Sequence, residues 1–159
     1  MNTESTTTTT RLSPLPPRWF IRTAWVIHRW IYRFSGGRRG LWPPKGTNWG
    51  TMRLHSIGRR TGTERIAILA YFEDGPNLVT LAMNGWGAPE PAWWLNLQAQ
   101  PDVVLDFRDG PRNVRARIAT PDERARLWDQ WRGYYGDGKF EGWAARRPRE
   151  TAVVVFEPR

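Results

Sequence analysis

Cysteine is absent from this chain of 159 residues. Neither a disulfide framework nor a thiolate metal site is open to it. Histidine is nearly absent. His28 and His55 stand far apart with no ligand spacing around them, which argues against a zinc or iron site. His55 is the only imidazole beyond residue 50, and no Ser/His/acid order surrounds it to build a hydrolase triad on. No run of about 18 apolar residues exists, so no segment is expected to span a membrane. Met1 to Thr10 is polar and threonine-rich with no cleavable apolar core behind it. The chain is therefore expected in the cytoplasm. No P-loop, dinucleotide glycine fingerprint or metal-like carboxylate cluster appears. If such a chain is an enzyme, a bound cofactor does the hard chemistry and the protein supplies a slot.

Tryptophan is abundant, with eleven in the chain. Flat aromatic rings make good walls for a flat ligand, and they also fill cores. The net charge of +9 is uneven. Residues 1–50 hold eight Lys/Arg and one acid, and residues 51–159 hold sixteen and fourteen. The excess is thus N-terminal. A nucleic-acid binder more often carries its basic patch on the folded domain, so no nucleic acid is expected as a partner.

Four regions follow. Residues 1–17 form a polar, repetitive tail with a proline-rich end. Residues 18–35 read as an amphipathic helix ended by Ser35-Gly36-Gly37. At ~100° per residue, Arg18, Arg22, Arg29 and Arg33 share an arc of ~60°. Phe20, Ile27, Trp30, Ile31 and Phe34 cover the far side. A narrow cationic stripe beside a wide aromatic face suits an anionic membrane surface, with residues 18–34 lying in the interface. The same helix packed on its own domain is the other reading. Residues 36–50 form a basic linker, and residues 51–159 the folded domain.

In that domain the pattern turns to strands. Thr51 to Ile57, Arg65 to Glu73, Leu78 to Met83, Val103 to Arg108, Arg112 to Ala119 and Thr151 to Phe156 qualify, joined partly by tight turns. Pro91 to Gln100 reads as a short helix. Thr120-Pro121-Asp122-Glu123 starts another that runs to about Arg132. The pattern predicts an α+β domain built on a small antiparallel β-barrel with flanking helices.

One turn stands out. Gly58-Arg59-Arg60-Thr61-Gly62 brackets two arginines between glycines, and Arg65 follows in the next strand. The guanidiniums project from a tight turn and converge with exposed backbone N–H groups, which suits a phosphate or carboxylate. A basic hairpin turn in water is the plainer alternative.

That turn, the Asp74-Gly75 hairpin, Pro91-Ala-Trp-Trp-Leu-Asn-Leu97, Thr120-Pro-Asp-Glu-Arg124 and the closing Val-Val-Val-Phe-Glu-Pro158 together resemble the deazaflavin-dependent nitroreductase family. The resemblance covers residues 50–159 and implies a split β-barrel, of the FMN-binding split-barrel kind. It implies the deazaflavin coenzyme F420 in reduced form, with FMN as the alternative cofactor. It implies hydride transfer to a quinone, nitro compound or similar small-molecule electron acceptor, and peripheral membrane association in several members. By position, Arg59, Arg60, Thr61, Gly62 and Arg65 would hold the coenzyme's phosphate and acidic tail. Leu81, Ala82, Met83 and Asn84, with Trp93, Trp94 and Asn96, would line the deazaflavin ring. Tyr134 and Tyr135 would face the acceptor as catalytic residues. The family often has Ser-Lys-Gly-Gly where this chain has Met83-Asn84-Gly85-Trp86, so one tail contact is lost and Trp86 is expected to narrow the pocket. A non-enzymatic split-barrel carrier of a flat or lipid-like ligand is the rival reading.

Overall fold

The computed structural model describes residues 40–136 and 138–159. The expected tail, the amphipathic helix and the first four residues of the linker, 36–39, lie outside the described residues. Six strands and three helices follow in the order β1 (Gly50–Ile57), β2 (Glu64–Asp74), β3 (Asn77–Leu81), α1 (Ala92–Ala99), β4 (Asp102–Phe107), β5 (Gly110–Ile118), α2 (Pro121–Tyr135), α3 (Lys139–Ala144) and β6 (Val153–Pro158). The strands close into an antiparallel barrel in the order β1-β2-β3-β6-β5-β4. The expected barrel with flanking helices is what forms.

Side chains alternate across each strand, so every strand feeds two layers. Leu69, Tyr71, Leu78, Val154 and Phe156 point into the barrel with Met52, Leu54, Leu105, Phe107, Val114 and Ala116. Trp94 and Leu97 of α1 join this core. Phe72, Val79, Leu81, Val153 and Val155 point outward and are covered by Leu127 and Trp131 of α2 and Phe140 of α3. The near-continuous apolar run of β6 is thereby explained: both of its faces are buried.

Residues 40–49, read as linker, pack against the barrel. Leu41 is buried, and Trp42 bridges to Thr51. Gly50 is needed where this segment enters β1. A Cβ there would come within 2.6 Å of the Tyr71 ring and 2.7 Å of Pro44.

Helix α2 starts as its sequence dictates. The Thr120 side chain accepts from the Glu123 backbone N–H, and the Glu123 carboxylate accepts from the Thr120 N–H at 2.9 Å. Arg117 of β5 donates to Glu123 at 2.7 Å and to Glu157 of β6 at 2.6 Å, joining the helix start to the barrel wall. The Arg117 hydrogen bond, then that from the Thr120 backbone, lowers the Glu123 carboxyl from its ordinary 4.5 to about 2. A depressed acid stabilises the fold above its unfolded value and loses that effect as pH falls through the folded one. Glu123→Gln is accordingly expected to lower Tm at pH 7, with the gap to the unsubstituted protein closing between about pH 5 and pH 2. Thermal scans over that range check it; a gap independent of pH would refute the role.

Most boundaries shift by one or two residues, and three of the differences have a visible cause. α2 continues to Tyr135 because Tyr134 and Tyr135 pack on the outer cluster. β3 ends at Leu81 rather than Met83, since the chain there turns out of the sheet. β6 begins at Val153, because Thr151 and Ala152 belong to the connection that holds the barrel rim. Helix α3 went unforeseen, its pattern masked by Gly133, Gly136, Gly138 and Gly142. Gly138 at its start is left-handed, with φ of 64°.

Candidate active site

Because neighbouring strands run antiparallel, the 58–63 turn, the chain leaving β3, the start of β4, the end of β5 and the approach to β6 all fall at one rim. Helix α1 covers that rim from the side of β1 and β2.

The 58–63 turn is rigid despite its exposure. The Gly58 carbonyl accepts from the N–H groups of Thr61 at 3.1 Å and Gly62 at 2.8 Å, and the Gly58 N–H donates to Thr63 O at 2.8 Å. A Cβ on Gly58 would lie 2.9 Å from Thr61 Oγ1 and 3.2 Å from Thr63 O. Gly62 holds a left-handed φ of 66°. Asn96 of α1 fixes the turn from below. Its Oδ1 accepts from the Arg59 N–H at 3.1 Å, and its Nδ2 donates to Ser56 Oγ at 3.4 Å. Asn96 is 4% exposed, and its amide ties the arginine turn to β1.

Arg59, Arg60 and Arg65 are all exposed, and their guanidiniums form no ion pair among the described residues. Other arginines are committed: Arg117 to Glu123 and Glu157, Arg124 to Glu150, Arg126 to Asp74 and Arg132 to Glu141. Two unpaired guanidiniums on a pinned turn and a third at the start of the adjoining strand fit an anionic ligand.

Beyond β3 the chain crosses the rim. Ala82 is fully buried, its N–H donating to Ala152 O at 2.9 Å. Met83 N–H donates to Leu81 O at 2.8 Å, and Asn84 O accepts from Gly87 N–H at 2.9 Å. The Met83 carbonyl and the Asn84 N–H are left without a partner among the described residues. A free acceptor and a free donor on adjacent residues fit the edge of a heterocyclic ring. Trp93 and Trp94 meet edge to face at 6.4 Å, Trp94 within the barrel core and Trp93 half-buried at its margin.

The tyrosines belong to the outer layer instead. Tyr134 stacks on Phe72 at 5.8 Å. Tyr135 stacks on Trp49 at 5.2 Å and touches Trp86, Phe140 and Trp143. Burial pushes the Tyr135 hydroxyl up to about 12, so it stays protonated at neutral pH. Arginine turn and tyrosines therefore lie in different layers, and the 82–91 chain links them: Ala82 enters the inner core, while Met83 and Trp86 enter the outer cluster. Trp86 is 6% exposed and holds φ of 61°. Sequence reasoning missed Trp49, whose contact with Tyr135 spans most of the domain. His55 sits on the outer barrel face between Glu64 at 2.7 Å and Asp106 at 2.9 Å, beside the Arg53–Asp106 pair. No metal-like cluster of His, Cys, Asp and Glu occurs among the described residues.

A closed six-stranded antiparallel barrel with flanking helices and unpaired arginines at one rim is a split-barrel domain with a place for an anionic ligand. Residues 25–158 match the F420H(2)-dependent quinone reductase family, and the chain belongs to that family. A putative F420H(2)-dependent quinone reductase of Mycobacterium tuberculosis is 33% identical over 109 residues, covering 69% of this chain and 90% of the relative. A second F420H(2)-dependent quinone reductase of that species is 30% identical over 148 residues, covering 89% and 97%. Among solved structures, an F420-H2-dependent reductase aligns with a TM-score of 0.59 at 21% identity, covering 67% of this chain and 93% of its own. That likeness concerns the fold.

Proposed function

We propose that the chain reduces a quinone with reduced coenzyme F420, and that the pinned arginine turn is where the coenzyme's phosphate and acidic tail are held. The observation that carries the site is the set of three unpaired guanidiniums, Arg59 and Arg60 on a turn fixed by Asn96 and Arg65 at the start of β2 beside it. Such a turn suits a tailed, acidic coenzyme better than FMN, whose single phosphate leaves guanidiniums over. The Met83 carbonyl and Asn84 N–H, with Trp93, Trp94 and the Leu81–Ala82 backbone, would line the deazaflavin ring. The family match does not favour a non-enzymatic carrier.

Bound reduced deazaflavin supplies a hydride, which brings both electrons and one of the protons that turn a quinone into a quinol. The second proton comes from a tyrosine hydroxyl or a water it orients. Tyr134 and Tyr135, at the end of α2 beside Trp86 and the 82–91 loop, are the hydroxyls assigned this task. The protein's own contribution is orientation and exclusion of water. Tyr134→Phe and Tyr135→Phe should each leave coenzyme affinity near that of the unsubstituted protein, and at least one should slow turnover by about tenfold or more. Steady-state rates with reduced F420 and a soluble quinone decide; full activity in both variants removes the tyrosines from the mechanism. Nitro compounds are the second class of acceptor to screen.

No described helix is long and apolar enough to cross a membrane. Peripheral binding through residues 18–34 is the reading their pattern supports, on the cytoplasmic face. Flotation with anionic liposomes should recover the full chain and not a chain lacking residues 1–39. Equal recovery of both places the membrane contact elsewhere.

A further inference from the structure

Arg147 follows α3 in a run, Arg146-Arg147-Pro148-Arg149, that reads as a solvated basic stretch. The fold does otherwise with it. Its side chain is completely buried, with 0% exposed. Nη1 donates to Ala82 O at 2.8 Å and to Thr151 Oγ1 at 2.7 Å, and Nη2 donates to Glu90 Oε1 at 3.1 Å. One guanidinium thus grips both ends of the 82–90 loop and fastens them to the approach to β6. Ala82 N–H reaches Ala152 O from the other side.

Stability does not explain the arrangement. A buried ion pair returns little net stability against well-packed apolar side chains. This pair is also incompletely satisfied, since Glu90 Oε2 and Arg147 Nε are buried without partners. What an apolar pair cannot do is hold a backbone carbonyl at one end of a loop, that of Ala82, and a carboxylate at the other, that of Glu90, in a single planar fork. Between those points lie Met83 and Asn84, with their free carbonyl and N–H, and Trp86, which reaches Tyr135. The nearby cleft of about 310 Å³, lined by Arg124, Trp128 and Arg147 among others, is not a rival site. Two of its guanidiniums are already committed, Arg124 to Glu150 and Thr151 and Arg147 to the loop.

We propose that Arg147 is a positioning residue for the coenzyme ring, stapling both ends of the 82–90 loop so that the Met83–Asn84 backbone is held at a fixed place on the barrel rim. This rests on the function proposed above. Arg147→Lys keeps the charge and loses the fork; Glu90→Gln keeps the shape and loses the charge. Hydrogen exchange of the loop amides, coenzyme fluorescence and steady-state kinetics are measured on the full chain of each variant. The expected result in Arg147→Lys is exchange at residues 83–91 faster by about tenfold, with the barrel strands as protected as before. Coenzyme Kd stays within about threefold, because the tail site is on a separate turn. kcat falls by about tenfold or more, and the bound coenzyme's emission moves toward that of free coenzyme. Glu90→Gln follows in the same direction. Unchanged loop exchange overturns the staple. Faster exchange throughout the barrel, with kcat per folded molecule intact, overturns it too, since Arg147 is then only structural. An unsubstituted protein that binds no F420 overturns the functional reading, and with it the purpose assigned to the staple. The exchange measurement separates that failure from failure of the staple itself.

Discussion

Arg60→Ala combined with Arg65→Ala is expected to weaken F420 binding by about 100-fold or more at low salt. Each guanidinium makes a charge-assisted hydrogen bond of roughly 1.5–3 kcal/mol to an anionic group, and about 1.4 kcal/mol is tenfold in affinity. Both side chains are exposed, so the lower end of that range applies and the difference shrinks as salt rises. Tm should stay put, because neither side chain takes part in an ion pair or a core. Tryptophan or coenzyme fluorescence titrated at two salt concentrations gives the answer. Affinity within threefold of the unsubstituted protein at low salt would remove the tail from this turn.

The second large effect is expected at Trp86. Its ring meets Phe140 edge to face at 5.3 Å and Trp143 at 6.4 Å, and closes the space between the 82–91 loop and the helices. Removing a buried Trp side chain costs about 3–5 kcal/mol. Glycine returns roughly 1 kcal/mol by easing the left-handed backbone there. A net loss of about 2–4 kcal/mol corresponds to a Tm lower by roughly 6–12 °C in a chain of this size. Trp86→Gly should also admit bulkier acceptors, since the vacated volume borders Tyr135. A panel of quinones and nitroaromatics of graded size, read as relative kcat/KM, tests this. An unchanged size preference alongside the lower Tm would make Trp86 a packing residue only.

Trp86 also shows how a sequence reading needs refinement. Its bulk in place of a glycine was visible, and a narrowed pocket followed. The structure specifies what it fills: the outer aromatic cluster, against helix α3, which glycines had hidden. Asn96 is similar. The resemblance sets it beside the deazaflavin ring, and the structure adds that its amide holds Arg59 N–H and Ser56 Oγ.

The sequence by itself determined the elements whose causes are local. Period-two apolar strands, the Thr120–Glu123 cap and the glycine-bracketed arginine turn follow from side-chain alternation, cap chemistry and backbone freedom within a few residues. The family's motifs in one order then implied the barrel and the coenzyme. Only the tertiary structure decided which charges are free. Arg59, Arg60 and Arg65 face solvent, while Arg147, no different in sequence, lies buried against Glu90, Ala82 and Thr151. Likewise only the fold brought Trp49 onto Tyr135. Burial and long-range pairing depend on which strands neighbour each other in the closed barrel, and local pattern carries no record of that.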